Sequence, residues 1–100
     1  MAKKYENDKG FLIIEMSYKE AANKCDFGFD IGKGKAIVCD TCNELFPVDG
    51  NIYYVACINR ALCKECCDDF INNIDRFEED IHYEEKHYNY YAEKLKLEKV

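Results

Sequence analysis

The residues with the most chemical content in this chain are cysteines. Cys39-Asp40-Thr41-Cys42 and Cys63-Lys64-Glu65-Cys66 are two C-x2-C pairs separated by twenty residues, a spacing that reads as a four-thiolate metal site. Four thiolates close a tetrahedral shell around one Zn2+, with sulfurs at about 2.3 Å and no position open to water or substrate. The expected chemistry is therefore structural, with one Zn2+ as a staple. Iron is the competing metal, because four-cysteine sites suit it as well. Cys66 and Cys67 are adjacent; Cys67 falls on an apolar helix face and is assigned to the core, which leaves Cys66 as the ligand.

The other candidate ligands are scattered. Cys25, Cys57 and Cys67 could join His82 or His87 in a second site, but no two of them show ligand-pair spacing. His82 and His87 are five residues apart, about 140° around a helix. The bland reading is that these thiols are buried and inert. There is no G-x-S-x-G sequence, no Cys paired convincingly with a His, and no open metal position. Exposed carboxylates offer no reason for the perturbed pKa that acid–base catalysis needs. An enzyme is not expected, and no catalytic residue is assigned.

The elements that must position the two pairs follow from the local patterns. Residues 1–10 are polar and lysine-rich and read as a flexible end. Phe11-Leu12-Ile13-Ile14-Glu15-Met16 reads as a strand covered on both faces. Ser17 with Glu20 forms a capping box that opens a short helix over residues 18–25, with Gly28 placed to stop it. Residues 26–35 read as a glycine-containing loop. Its Gly32-Lys33-Gly34-Lys35 lacks the G-x4-G-K-[ST] pattern of a phosphate cradle. Residues 44–48 and 52–58 read as a hairpin through Asp49-Gly50-Asn51. From Cys63 the period becomes helical: Cys67, Phe70, Ile71, Ile74 and Phe77 share one face. The positive end of that helix favours thiolate at Cys63 and Cys66. A second helix carries Ile81, Tyr88, Tyr91, Ala92 and Leu95.

The whole is expected to be one α+β domain: a strand–helix–loop over residues 11–36, a four-cysteine unit over 37–76 and a C-terminal helix over 77–100. At 100 residues a metal staple matters, since zinc contributes roughly 10–16 kcal/mol of apparent binding free energy in finger peptides. Seven cysteines without a secretion signal point to a reducing compartment, and the cytoplasm is the expected location. No apolar run reaches the length of a membrane span.

The net charge of −6 is uneven: residues 64–85 hold nine acids against Lys64 and Arg76. A Zn2+ held by four thiolates would add a further net −2. Such a segment repels phosphate. Glu78, Glu79, Asp80, Glu84 and Glu85 read either as a solvated helix surface or as an anionic face for a basic protein partner. Tyr90 is the aromatic expected to be exposed, while Tyr88 and Tyr91 fit the core.

A cysteine pair on a turn, a β-hairpin and a second pair opening a helix resembles the treble-clef class of zinc fingers, including the halves of LIM-like modules. The resemblance covers residues 37–76. It implies that Cys39 and Cys42 are the knuckle ligands and that Cys63 and Cys66 are the helix-start ligands. The His-x2-Cys pair of a complete LIM or RING module is missing. The layout also resembles small zinc proteins of bacteria and their phages. The expected function is a non-catalytic interaction module or accessory factor that binds a protein. Two other readings stand beside it: an inhibitor of phage type whose acidic helix imitates nucleic acid to block a host protein, and a nucleic-acid-binding finger using Lys33, Lys35 and the terminal lysines.

Overall fold

The computed structural model describes residues 2–32 and 35–100. Lys33 and Gly34 of the glycine loop lie outside the described residues. The fold is α+β, built on a four-stranded antiparallel sheet. In chain order the elements are β1 (Lys3–Lys4), β2 (Ile13–Ser17), α1 (Tyr18–Asn23), β3 (Phe29–Asp30), β4 (Lys35–Ala36), β5 (Asn51–Val55), β6 (Arg60–Leu62), α2 (Lys64–Asn73), a 3-10 turn (Glu78–Asp80) and α3 (Ile81–Leu95). The sheet order is β1-β2-β5-β6, and β3 pairs with β4 in a separate ribbon.

β2 is central, and its sequence shows why. Ile13 and Ile14 point to opposite faces yet both are fully buried, as is Met16. Both faces of the sheet are covered. Ile14 pairs with Tyr54 of β5, and the Tyr54 ring meets Tyr91 of α3 at 4.5 Å and Phe27 at 5.7 Å. On the other face Glu15 pairs with Tyr53. Tyr53 packs on Tyr5 at 5.0 Å, and the Tyr5 hydroxyl donates to Asp68 of α2. Phe11 adds a contact with Phe70 of α2 at 5.0 Å. The sheet is thus held between α2 and α3, with α1 closing one end.

The capping box forms as read: Ser17 Oγ accepts from the Glu20 N–H, and Glu20 Oε1 accepts from the Ser17 N–H. Helix α1 stops at Asn23, before Gly28. That glycine has φ +89°, and a Cβ there would lie 2.5 Å from the Ala36 carbonyl oxygen, so the close approach of β3 to β4 requires glycine.

Several expectations need correction. Residues 2–10 are not a loose end: Lys3 and Lys4 pair with Glu15 and Ile14, Ala2 is buried, and its N–H donates to Glu20 Oε2. Residues 44–48 do not form a strand against residues 52–58. β5 already has β2 on one edge and β6 on the other, so the 44–48 segment bonds back to residues 37–39. It retains a single bridge, Val38 to Leu45, and Pro47 has no N–H to extend it. β5 ends at Val55, because Ala56 to Asn59 turn the chain into β6. The hairpin beside the cysteines is therefore β5–β6. Helix α2 ends at Asn73, which leaves Ile74 and Phe77 outside it and exposed.

Glu84 is the largest correction. It is 1% exposed, not part of an acidic surface. Its Oε1 accepts from Arg76 Nε at 3.0 Å and Nη2 at 2.8 Å, and its Oε2 accepts from the Leu12 N–H at 2.9 Å. One carboxylate thereby fastens α3 to the entry of β2 and to the α2–α3 connection. Removing one member of such a buried pair leaves the other charge without its partner. Glu84→Ala should cost about 3 kcal/mol in urea unfolding of the metal-loaded protein, whereas exposed Glu79→Ala should change stability by less than about 0.5 kcal/mol. Equal effects for the two would contradict this role for Glu84.

Candidate metal centre

The first cysteine pair lies in a tight knuckle. The Asn43 N–H donates to the Cys39 carbonyl and the Cys39 N–H donates to that of Glu44, closing a loop with Asn43 at φ +63°. Asparagine tolerates that left-handed conformation better than most side chains. Both sulfurs of the pair consequently face the same side. The second pair is set by helix geometry, with Cys63 as the N-cap residue of α2 and Cys66 in its first turn.

Backbone bonds bring the pairs together. The Asp40 N–H donates to the Ala61 carbonyl at 3.0 Å, and Asp40 Oδ2 accepts from the Ala61 N–H at 3.0 Å. These bonds stitch the knuckle to the outer edge of β6, two residues before Cys63, the N-cap of α2. The Cys63 N–H then donates to Cys39 Sγ at 3.4 Å.

The outcome is a cluster of Cys39, Cys42, Cys63 and Cys66 whose sulfurs all lie within 4.8 Å of one another. A tetrahedral thiolate site with bonds of about 2.3 Å needs sulfurs about 3.8 Å apart. The four residues fit a metal ion with only a small contraction. Cys39 is buried, Cys63 and Cys66 are half-buried, and Cys42 is exposed, so the site lies at the surface beneath its own knuckle.

The electrostatics suit thiolate at Cys39. Burial pushes its thiol up, but N–H groups of Cys42, Cys63 and Thr41 directed at the sulfur outweigh burial and bring it down to about 7. The Cys66 thiol is pushed up, first by its hydrogen bond with Cys63 and then by burial. A dication among the four sulfurs reverses such a penalty, because it favours the deprotonated form of every ligand.

The remaining candidates do not converge. Among the described residues, the four-cysteine cluster is the one grouping of three or more His, Cys, Asp or Glu ligand atoms close enough to share an ion. Cys25 Sγ lies 3.9 Å from Met16 Sδ. His87 Nδ1 is 3.2 Å from the Ala56 carbonyl oxygen, with its ring against Tyr83 at 4.1 Å. Burial pushes the Cys25 thiol up to about 11 and those of Cys57 and Cys67 to about 12. Cys67 is fully buried in the core, as its helix face implies. Of the acidic candidates, Glu78, Glu79 and Asp80 are exposed and Glu85 is half-buried. Tyr90 is exposed, with Lys94 Nζ 4.8 Å from its ring centroid. No helix among the described residues is long and apolar enough to cross a membrane.

No protein family matches this chain, and neither a curated protein nor a solved structure does. The four-cysteine geometry yields a direct test of ligand identity. Native mass spectrometry should find one metal per chain in the wild type and in Cys67→Ala, and a loss of tight binding in Cys42→Ser and Cys66→Ser. Retained binding in Cys66→Ser with loss in Cys67→Ala would transfer the fourth ligand to Cys67.

Proposed function

We propose that the ion is zinc, that the unit over residues 37–76 is a treble-clef finger, and that the protein is a non-catalytic interaction module that binds another protein. The observation that carries this reading is the donor set. Four thiolates complete a tetrahedral shell and leave no position for water or substrate, which makes the ion a structural one. The order of knuckle, β5–β6 hairpin and helix-start pair supports the treble-clef assignment.

The character of the partner follows from charge. Glu78, Glu79 and Asp80 form an exposed turn beside Glu85. This surface favours a basic protein and disfavours nucleic acid, whose phosphates it would repel. With Glu84 turned inward, the anionic face consists of Glu78, Glu79, Asp80 and Glu85, while exposed Tyr90 lies farther along α3 with Lys94 against its ring.

Affinity capture with the metal-loaded chain tests the reading. A stoichiometric partner should be retained at low salt and released as ionic strength rises. It should be lost from Glu78→Lys/Glu79→Lys/Glu85→Lys while that variant still binds one metal. Undiminished capture by the variant would contradict the acidic face, and turnover of a substrate by the purified chain without any partner would contradict the module.

A further inference from the structure

The α2–α3 connection carries a feature that the charge pattern alone does not explain. Ile74 and Phe77 continue the apolar period of α2, but the helix stops before them, and they stand 42% and 54% exposed. Across from them the turn between β5 and β6 presents Ile58, itself 37% exposed. These residues, with Phe11, Cys57 and Phe70, line a cavity of about 130 Å3. That volume accommodates one branched aliphatic or methionine side chain. Apolar residues gathered at one opening differ from singly scattered surface hydrophobes, which carry no such meaning.

The mouth of this cavity is acidic. Asp75 and Asp80 line it together with the Arg76–Glu84 pair, and exposed Glu78 and Glu79, which lie between them in the chain, line a shallow shelf with His82 and Glu85. Two cations beside the cavity are already engaged. Arg76 is turned inward onto Glu84, and Lys9 donates to the Ile74 carbonyl while lying 3.8 Å from Asp75. The rim therefore keeps a negative excess around an apolar centre, the inverse of a basic amphipathic segment.

We infer that this cavity is the docking point for a basic amphipathic segment of a partner protein, with one apolar side chain seated between Ile58, Ile74 and Phe77 and flanking Lys or Arg residues on the acidic rim. The inference rests on the interaction reading above and deepens it by naming the surface. An apolar anchor supplies the attraction that survives salt, and the carboxylates set orientation and encounter rate. A second copy of this chain is the poorer occupant, since it would bring the same carboxylates to the same rim.

The test uses the full metal-loaded chain, labelled for NMR, and two synthetic helical peptides: one of leucine and lysine at amphipathic spacing, the other of leucine and glutamate. The lysine peptide should shift the resonances of Ile58, Ile74 and Phe77 saturably, and the glutamate peptide should not. Phe77→Ser lies outside every helix and strand and should weaken the lysine peptide by about tenfold, with the remaining spectrum unchanged. Ile58→Ser should do the same from the opposite wall. Undiminished binding in both variants, or shifts centred on Tyr90, would overturn the cavity while leaving the interaction reading intact. Equal binding of both peptides, or self-association through this face in sedimentation, would overturn the basic occupant. Absence of saturable shifts together with absence of a captured partner would remove both proposals.

Discussion

The structure depends on one constraint: two short cysteine pairs, twenty residues apart in sequence, must meet within 4.8 Å. The knuckle satisfies its half through the left-handed turn at Asn43, and α2 satisfies the other half through the three-residue spacing of Cys63 and Cys66. The segment between them contains β5 and β6, so closing the cluster also fixes the hairpin beside β2. The Asp40–Ala61 pair of hydrogen bonds aligns these parts before any ion is considered. Proposed zinc binding would then add its free energy to an arrangement already close to tetrahedral.

A second anchor holds the other layer. α3 packs Tyr88, Tyr91, Ala92 and Leu95 on the sheet, but its placement near the first turn depends on buried Glu84. That carboxylate accepts three hydrogen bonds, from Leu12 and from both contacting nitrogens of Arg76. The thiolate cluster ties α2 to one end of the sheet, and Glu84 ties α3 to the start of β2. The α2–α3 connection runs between these anchors, and Ile74 and Phe77 lie on it, outside the helix and at the surface.

The cysteine site was legible because ligand spacing is a local property. The same holds for the Ser17–Glu20 capping box, for β2 as a strand buried on both faces, and for Cys67 in the core. What escaped the sequence depended on competition between distant partners. Residues 44–48 look like a strand until β2 and β6 occupy both edges of β5. Lys3 and Lys4 look like a solvated end until the edge of β2 offers them a ladder. Glu84 is indistinguishable from Glu78, Glu79 and Glu85 in a charged run. The available signal was its place three residues beyond Ile81 on the face of Tyr88, Tyr91 and Leu95, together with Arg76 as one of only two arginines. Periodicity also carried the apolar face of α2 through Ile74 and Phe77, because nothing local announced that the helix ends at Asn73.

On the proposed reading, a zinc ion closed by four sulfurs, with no open position, organises the domain and carries no chemistry. X-ray absorption at the zinc edge of the purified protein examines that shell directly. The account predicts a single shell of four sulfur scatterers at about 2.3 Å and no oxygen or nitrogen neighbour. A mixed shell containing a light atom at about 2.0 Å would mean a histidine or water ligand, and would contradict the closed structural site on which the interaction reading stands.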